Sequence, residues 1–270
     1  MANLELAWRQ IRRLDELASQ KTAVHQLDPR IKLIVTFFYI ITVISYSKYD
    51  LSGLLPLVLY PVFLIALAEL PFTYLLGRVF IAAPFVFFVG IFNPVFDHTP
   101  LFYFNGFVIT GGWVSLIALF MKFGFTVMAA LLLIATTGIN EIGTALLKLK
   151  VPRILVMQLL FMYRYLSVLM EETGRSIRAY QLRHYGGRGI HRNAWGSLVG
   201  QLLLRTVDRA QRIYQAMLCR GFHGELPLSR RMKAGAYDGV WLLGWTLFFI
   251  LARWVDIPAL LGRLFMGVGY

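Results

Sequence analysis

The stretch Trp113–Thr137, WVSLIALFMKFGFTVMAALLLIATT, is an apolar run with one charged side chain, Lys122. A helix of about 20 apolar residues crosses the roughly 30 Å hydrocarbon core of a bilayer. This run is therefore long enough to span a membrane. The whole chain agrees with it, because 58% of its residues are hydrophobic and 15% are charged, whereas soluble domains average about a quarter charged residues. The sequence predicts an integral membrane protein.

Other apolar runs extend the same pattern in both directions. Three precede it, at Ile31–Ser47, Leu51–Leu70 and Val79–Phe96, and one follows at Gly239–Ala252. We therefore predict about five transmembrane helices. The last stretch, Pro258–Tyr270, is apolar but short and contains an arginine, so an interfacial helix and a sixth span both remain open for it.

Positive charge is concentrated between the fourth and fifth apolar runs. From Glu141 to Tyr237 there are sixteen Lys and Arg residues against five carboxylates, and the formal net charge of the chain is +13. Cytoplasmic segments of membrane proteins carry such an excess, which is a better explanation here than nucleic-acid binding. A further basic cluster precedes Ile34. Four crossings between two basic regions place both in the cytoplasm, so we predict a cytoplasmic N-terminus.

These observations predict an all-α integral membrane protein in three parts. Residues 1–140 form an N-terminal cytoplasmic segment and four transmembrane helices, residues 141–237 form a cytoplasmic helical region, and residues 238–270 form the final span and a tail. We expect no cleaved signal peptide, because the first thirty residues lack an apolar core of the signal type.

The cytoplasmic region carries two predicted helices. In Leu198–Met217, apolar residues recur every three or four positions, and charged residues fill the other face, which is typical of an amphipathic helix. A second helix is predicted from about Pro152 to Arg183, with a first half that is apolar nearly all round. Glycines follow both, at Gly186-Gly187 and at Gly221, as is common at helix C-termini.

Both predicted helices end in the same pattern, Ala-x-x-x-Arg. The two copies are Ala179–Arg183 and Ala216–Arg220. A small residue one turn before an arginine lets the backbone of another protein approach while the guanidinium reaches over it. Alternatively, each arginine merely complements the dipole at its helix C-terminus.

Several strings in the chain resemble a known family. Val24–Leu33 (VHQLDPRIKL) is similar to the N-terminal signature of the transmembrane coupling (T) proteins of energy-coupling-factor transporters. Tyr163–Leu166 with the glutamates and arginine that follow, and Asp208–Arg212 leading into Arg220-Gly221, resemble the two coupling-helix motifs of that family. The strings Phe92–Asp97 and Ala135–Gly138 are most similar to its CbiQ-type branch, which serves cobalt or nickel uptake.

The resemblance implies an energy-coupling subunit of an ATP-driven importer in the cytoplasmic membrane of a bacterium or archaeon. Its partners would be two ATPase subunits, a substrate-specific membrane subunit and a small accessory membrane protein. ATP and Mg²⁺ would be bound by the ATPase subunits, with no cofactor in this chain. Docking on the ATPases would use Ala179, Arg183, Ala216, Arg220 and Gly221. The first motif departs from the family pattern, since His184 stands where a glycine is usual.

A second group of residues is expected to support the coupling helices or the entry into the first span. Glu171 and Glu172 could form an acid/base couple, but adjacent helical residues point in different directions. An internal bridge to Arg164, Arg175 or Arg178 is the simpler role for them. Before the first span, Asp28 is a candidate N-cap and Pro29 a first-turn residue. The members are Asp28, Pro29, Arg30, Arg164, Glu171, Glu172, Asp208 and Arg209. Lys122 could be functional or could extend its charge toward the membrane surface, and both readings stay open.

Nothing in the sequence indicates catalysis or a metal site in this chain. The five histidines are scattered, there is one cysteine, and no Gly-x-x-x-x-Gly-Lys-Ser/Thr motif occurs, so an ATP-binding P-loop is excluded. A self-contained secondary transporter is one alternative, although such proteins show paired hydrophobic repeats. A membrane-bound enzyme is another, although the basic region has no nucleophile and base pair.

Overall fold

The structure is a computed structural model that describes residues 13–104, 107–183, 191–224 and 235–255. The chain divides into two compact units. One, here the coupling unit, comprises residues 1–15 and 139–231, and the other, the membrane unit, comprises residues 16–138 and 232–270. The predictions for Gly186-Gly187, His184 and Pro258–Tyr270 lie outside the described residues.

The membrane unit holds most of the helices. Residues 13–18 are helical and run from the coupling unit into the membrane unit. The membrane unit then contains α1 (Ala23–Gln26), α2 (Pro29–Ser45), a 3-10 turn (Leu55–Val58), α3 (Leu59–Ala68), α4 (Phe72–Gly90), α5 (Phe92–Phe96), β1 (Pro100–Phe104), β2 (Phe107–Thr110), α6 (Gly111–Thr137) and, after the coupling unit, α10 (Ala236–Trp254). The coupling unit contains α7 (Ile139–Lys148), α8 (Arg153–Arg183) and α9 (Arg192–Cys219). The helical architecture predicted from the sequence is confirmed.

Three helical stretches among the described residues are long and apolar enough to cross a bilayer. Phe72–Phe96 and Gly111–Thr137 match the third and fourth predicted spans. The third, Arg153–Arg183, is α8, which we predicted as a coupling helix whose first half is apolar. Helices α2 and α10 match the first and fifth predicted spans in position, and the total number of crossings stays a prediction.

The second predicted span is shorter in the structure than in the sequence pattern. Its apolar helical part is Leu55–Ala68, because residues 51–54 form a turn instead. The Asp50 carboxylate accepts the backbone N–H of Gly53 at 3.3 Å, which competes with helix formation as aspartate side chains commonly do. Pro56 lies in the first turn of the 3-10 segment that follows, where a missing N–H costs nothing.

A β-hairpin lies between the third and fourth predicted spans. Strands β1 and β2 pair antiparallel, with Phe104 opposite Phe107. The aromatic residues of β1 and the β-branched residues of β2 favour such strands. The sequence Asn105-Gly106 lies between them, and Asn-Gly is a strong hairpin signal that our sequence analysis overlooked.

Aromatic side chains form the core of the membrane unit. Tyr39 and Tyr60 are buried with ring centroids 4.5 Å apart, and Phe249 lies 5.4 Å from Tyr39. The hydroxyl of Tyr39 donates to the Leu57 carbonyl at 3.0 Å. Buried hydroxyls need such partners, so this contact fixes α2 against the 3-10 turn.

Candidate docking site of the coupling unit

Helices α7 and α8 are packed closely. A Cβ on Gly143 would come within 2.7 Å of the Leu160 side chain, so this site accepts glycine alone without rearrangement. Farther along α8, the hydroxyl of Tyr163 donates to the Asp15 carboxylate at 2.6 Å. These contacts fix the apolar half of α8 within the coupling unit.

Helices α8 and α9 form an antiparallel pair. Near the end of α8, the Tyr180 hydroxyl accepts the backbone N–H of His191 at 3.4 Å, just before α9 begins. Farther from that end, Arg205 on α9 donates to Glu172 on α8 at 3.0 Å. Our sequence analysis did not predict the contact between Glu172 and Arg205, because the two residues lie 33 positions apart and no local pattern links them.

The antiparallel arrangement places the two Ala-x-x-x-Arg motifs at opposite ends of the α8–α9 pair. From the Glu172–Arg205 contact, Arg183 lies eleven residues along α8 and Arg220 fifteen residues along α9, in the opposite direction. At 1.5 Å per residue the two arginines are separated by up to ~40 Å. Both are exposed, as are Ala179 and Ala216. The two motifs therefore form two separate sites and cannot act on one point.

The end of α9 has a well-defined capping geometry. Gly221 has a φ of 80°, a left-handed conformation that costs other residues about 1–2 kcal/mol. The N–H of Phe222 donates to the Met217 carbonyl at 3.0 Å, and the N–H of Gly221 donates to the Leu218 carbonyl at 3.0 Å. This is the Schellman arrangement, and it confirms the prediction that Gly221 ends the helix. It also fixes the backbone of Arg220 at the last helical turn.

An open cleft of about 1000 Å³ lies between α8 and α9. Apolar side chains such as Phe161, Leu169 and Met217 line it together with Ala216. Three arginines, Arg205, Arg209 and Arg212, line it as well. This mixture of apolar walls and cations suits an apolar or acidic protein segment better than a small neutral ligand.

The other charged residues singled out on the coupling helices have simpler surroundings. Glu171 pairs with Arg175 at 3.5 Å, four residues along the helix, and both side chains are 64% exposed. The expected internal bridge is therefore present, but an exposed pair of this kind contributes about 0–1 kcal/mol. Arg164 and Asp208 are exposed.

Asp28, Pro29 and Arg30 lie in the membrane unit, at the start of α2. The predicted cap is confirmed, because the Asp28 carboxylate accepts the backbone N–H of Arg30 at 3.0 Å and Pro29 is the first helical residue. The backbone N–H of Asp28 donates to the carboxylate of Asp238 at 3.0 Å. The other Asp238 oxygen accepts the N–H of Gly235 at 2.8 Å. One carboxylate thus links the starts of α2 and α10.

Lys32, in the first turn of α2, is 4% exposed, and its ammonium donates to the Thr136 carbonyl at 2.8 Å. Thr136 lies in the last turn of α6, where carbonyls lack partners within the helix. A cation is also favourable there because of the helix dipole. We call Asp28, Lys32, Thr136 and Asp238 the Asp28–Lys32 clasp.

A second polar cluster joins the C-terminal ends of α2 and α10 to the middle of α6. Lys122 donates to the Tyr46 carbonyl, the Tyr46 hydroxyl donates to the Ala252 carbonyl at 2.6 Å, and the Arg253 guanidinium lies 5.0 Å from the centre of the Tyr46 ring. We call these residues the Tyr46 cluster. Helices α2 and α10 are therefore parallel and α6 is antiparallel to them. Lys122 is thus bonded to the end of α2, and the choice between the two readings of this residue stays a prediction.

Our sequence analysis missed Lys32, Thr136 and Asp238 as partners. Lys32 and Asp238 had a detectable signal, since each is a charge at the start of an apolar run. Among the described residues, no group of three or more His, Cys, Asp or Glu side chains could hold a metal ion.

Comparisons with known proteins give the family. The model of a family described as "CbiQ: Cobalt transport protein" matches residues 20–233. This chain belongs to the CbiQ family. The match includes the Asp28–Lys32 clasp apart from Asp238, and both Ala-x-x-x-Arg motifs.

Individual relatives support the CbiQ assignment. The chain is 28% identical over 216 residues to the energy-coupling factor transporter transmembrane protein EcfT of Bacillus subtilis, covering 74% of this chain and 81% of that one. It is 26% identical to EcfT of Lactococcus lactis, over 74% of this chain and 80% of that one. It is also 27% identical over 135 residues to an uncharacterized protein of Methanocaldococcus jannaschii, covering 49% of this chain and 46% of that one. This CbiQ-family chain is thus a multi-pass transmembrane component of an energy-coupling factor transporter, and it is a non-catalytic subunit.

Proposed function

We propose that this chain couples two ATPase subunits to a separate substrate-specific membrane subunit in an importer for cobalt or nickel ions. The ATPase subunits bind ATP and Mg²⁺, and a small accessory membrane protein completes the complex in the cytoplasmic membrane. Movement of the ATPases displaces α8 and α9, and this displacement reorients the substrate-specific subunit. The chain itself does no covalent chemistry.

The observation that carries the proposal is the position of Arg183 and Arg220. They are exposed, belong to matching motifs and lie at opposite ends of one antiparallel helix pair. A bidentate guanidinium in a desolvated acidic groove is a typical binding hot spot. Two such groups up to ~40 Å apart suit two copies of one kind of partner, one at each end.

The exposed apolar side chains of α9 support the same proposal. Val199 is 58% exposed, Leu203 62% and Leu204 68%. The apolar face that we predicted for this amphipathic helix is thus largely exposed in the coupling unit. Contiguous exposed apolar surface flanked by charge is typical of protein-binding surfaces. Burial against partner subunits in the complex accounts for it.

The choice of cobalt or nickel rests on similarity. The family model is described as a cobalt transport protein, and the strings Phe92–Asp97 and Ala135–Gly138 resemble the CbiQ-type branch. The ion is recognised by the substrate-specific subunit, so uptake by the assembled complex is the direct measurement of specificity.

The test is co-purification of the ATPase subunits with the tagged chain in detergent. We expect the wild-type chain to recover both subunits and the Arg183→Ala/Arg220→Ala double variant to recover neither, at equal insertion into the membrane. Arg178→Ala is the matched control, because Arg178 is an exposed arginine on α8 outside the motifs, and it should recover the wild-type amount. Equal recovery by the double variant would refute the docking role.

Assays of the isolated chain distinguish the coupling role from a self-contained secondary transporter. The isolated chain in proteoliposomes should neither hydrolyse ATP nor take up radioactive cobalt or nickel. A self-contained secondary transporter would take up substrate without ATPase subunits, and that result would overturn the coupling proposal.

A further inference from the structure

The Asp28–Lys32 clasp joins three helix ends that are far apart in the sequence. The contact between Lys32 and Thr136 bridges 104 residues, and the contact between Asp28 and Asp238 bridges 210 residues. Every member is buried: Asp28 is 5% exposed, Lys32 4%, Thr136 3% and Asp238 7%. Burying a charge is costly unless it is well paired, so this arrangement needs a reason beyond filling space.

Its place along the chain suggests one. The first segment of the membrane unit ends at Gly138. The chain enters the coupling unit at Ile139 and leaves it after Arg231. Thr136 lies two residues before Gly138, which has a φ of 74°, and Asp238 lies in the first turn of α10. The clasp thus holds the helix that leads into the coupling unit and the helix that leads out of it.

We propose that the Asp28–Lys32 clasp anchors the membrane unit where the motion of the coupling unit is transmitted, so that Lys32 and Asp238 are positioning residues for coupling. A displacement of α7–α9 reaches the membrane unit along the chain, which enters the coupling unit after Gly138 and returns to the membrane unit after Arg231. Lys32 keeps the last turn of α6 fixed to α2, and Asp238 keeps the start of α10 fixed to α2. With the clasp intact, all three helices respond together.

The Tyr46 cluster provides an internal comparison. Lys122 also donates its ammonium to a carbonyl at a helix end, but this contact lies at the other ends of α2 and α10, away from both passages of the chain. Removal of either lysine deletes a bond of the same type. Only loss of Lys32 affects the end of α6 from which the chain continues into the coupling unit.

This inference rests on the proposed function, and the test uses the full complex with both ATPase subunits and the substrate-specific subunit in proteoliposomes. The measured quantity is radioactive cobalt or nickel taken up per ATP hydrolysed. We expect Lys32→Met to lower this ratio at least tenfold while the ATPase subunits still co-purify. Lys122→Met should stay within twofold of the wild type.

A merely structural role of Lys32 would lower the yield of complex and leave the ratio unchanged. If Lys32→Met does not fold, Asp238→Asn decides the question, because the amide keeps one acceptor oxygen and loses one of the two backbone contacts. We expect Asp238→Asn to lower the ratio by more than Lys122→Met does.

An unchanged ratio in the folded variant, or an equal fall in Lys122→Met, would overturn the inference. Absence of ATPase subunits from the wild-type preparation would instead refute the proposed function, so the two failures are distinguishable.

Discussion

The membrane unit and the coupling unit differ in how far their own internal contacts bury their side chains and provide hydrogen-bond partners for them. In the membrane unit, buried lysines, aspartates and tyrosines bond to helix ends within the same unit, as Lys32 does with Thr136. In the coupling unit, α8 buries Val156 and Leu160, while the described side chains of α9 are all at least partly exposed. The first unit thus pairs many of its buried polar groups internally, whereas the second leaves apolar and arginine side chains of α9 exposed.

The largest, all-or-none effect is expected when thiol labelling is used to find which side of the membrane each region faces. In a Cys219→Ser background, which removes the exposed native cysteine, we expect Arg178→Cys to react with an impermeant thiol reagent from the cytoplasmic side alone. His98→Cys, before the hairpin, should react from the outside alone. Labelling of Arg178→Cys from the outside would show that the coupling unit cannot contact cytoplasmic ATPases.

The next largest effect is expected at Arg220. If Arg220 binds an acidic groove of an ATPase subunit as proposed, Arg220→Ala should weaken this binding by about 2–5 kcal/mol, because the opposing carboxylate would be left unpaired. This corresponds to at least a tenfold loss of affinity. Arg220→Lys should restore part of it, since a point charge cannot reproduce a bidentate contact. Titration of purified ATPase subunits onto immobilised chain gives the dissociation constants, and equal values for wild type and Arg220→Ala would contradict the docking role.

Local sequence patterns predicted most individual elements. The fourth apolar run, predicted as Trp113–Thr137, is α6 at Gly111–Thr137, because a uniform apolar run leaves little choice of structure. The helix from about Pro152 to Arg183 begins at Arg153. Gly221 ends α9 because its positive φ excludes most other residues.

Contacts between distant residues could not be predicted in the same way. Lys32 and Thr136, or Asp28 and Asp238, are brought together by the packing of whole helices, and no periodicity within α2 specifies the partner. The α9 helix, at 28 residues, is longer than the twenty predicted, since its first turn lacks the amphipathic pattern that defined the prediction.

A smaller effect is expected from Gly221→Ala, which places a side chain at a φ of 80°. The strain is about 1–2 kcal/mol and falls on the turn that fixes Arg220. We expect affinity for the ATPase subunit to decrease less than in Arg220→Ala. Gly174→Ala, a mid-helix glycine of α8 without a positive φ, is the control. A larger loss with the control would show that the turn geometry does not matter.

A change in the membrane unit should give the opposite behaviour. Tyr46→Phe removes the hydroxyl that donates to the Ala252 carbonyl and keeps the ring. Loss of one such hydrogen bond costs about 0.5–1.5 kcal/mol of stability. The thermal unfolding midpoint in detergent should fall, while the dissociation constant for the ATPase subunits stays unchanged. A weaker affinity in Tyr46→Phe would show that the two units are not separable in function.

The smallest effect is expected at Asp97, in the segment between α5 and β1. Hydrogen bonds from Tyr49, Thr99 and Lys48 hold the pKa of the Asp97 carboxyl well below its ordinary value. A carboxyl whose pKa is lowered on folding stabilises the folded state above its unfolded pKa of about 4, and this contribution disappears as the pH falls through the folded pKa. Asp97→Asn should therefore unfold at a lower temperature than the wild type at pH 7, and the difference should narrow steadily below about pH 4. Unfolding midpoints of both proteins between neutral and acidic pH give the comparison.

Lys48, which binds the Asp97 carboxylate, serves as the control. Hydrogen bonds to Tyr49 and Asp97 raise the pKa of the Lys48 ammonium, so the stabilisation that Lys48 provides persists at acidic pH for as long as Asp97 stays ionised. A difference between wild type and Asp97→Asn that is independent of pH would show that the carboxylate charge does not hold this segment.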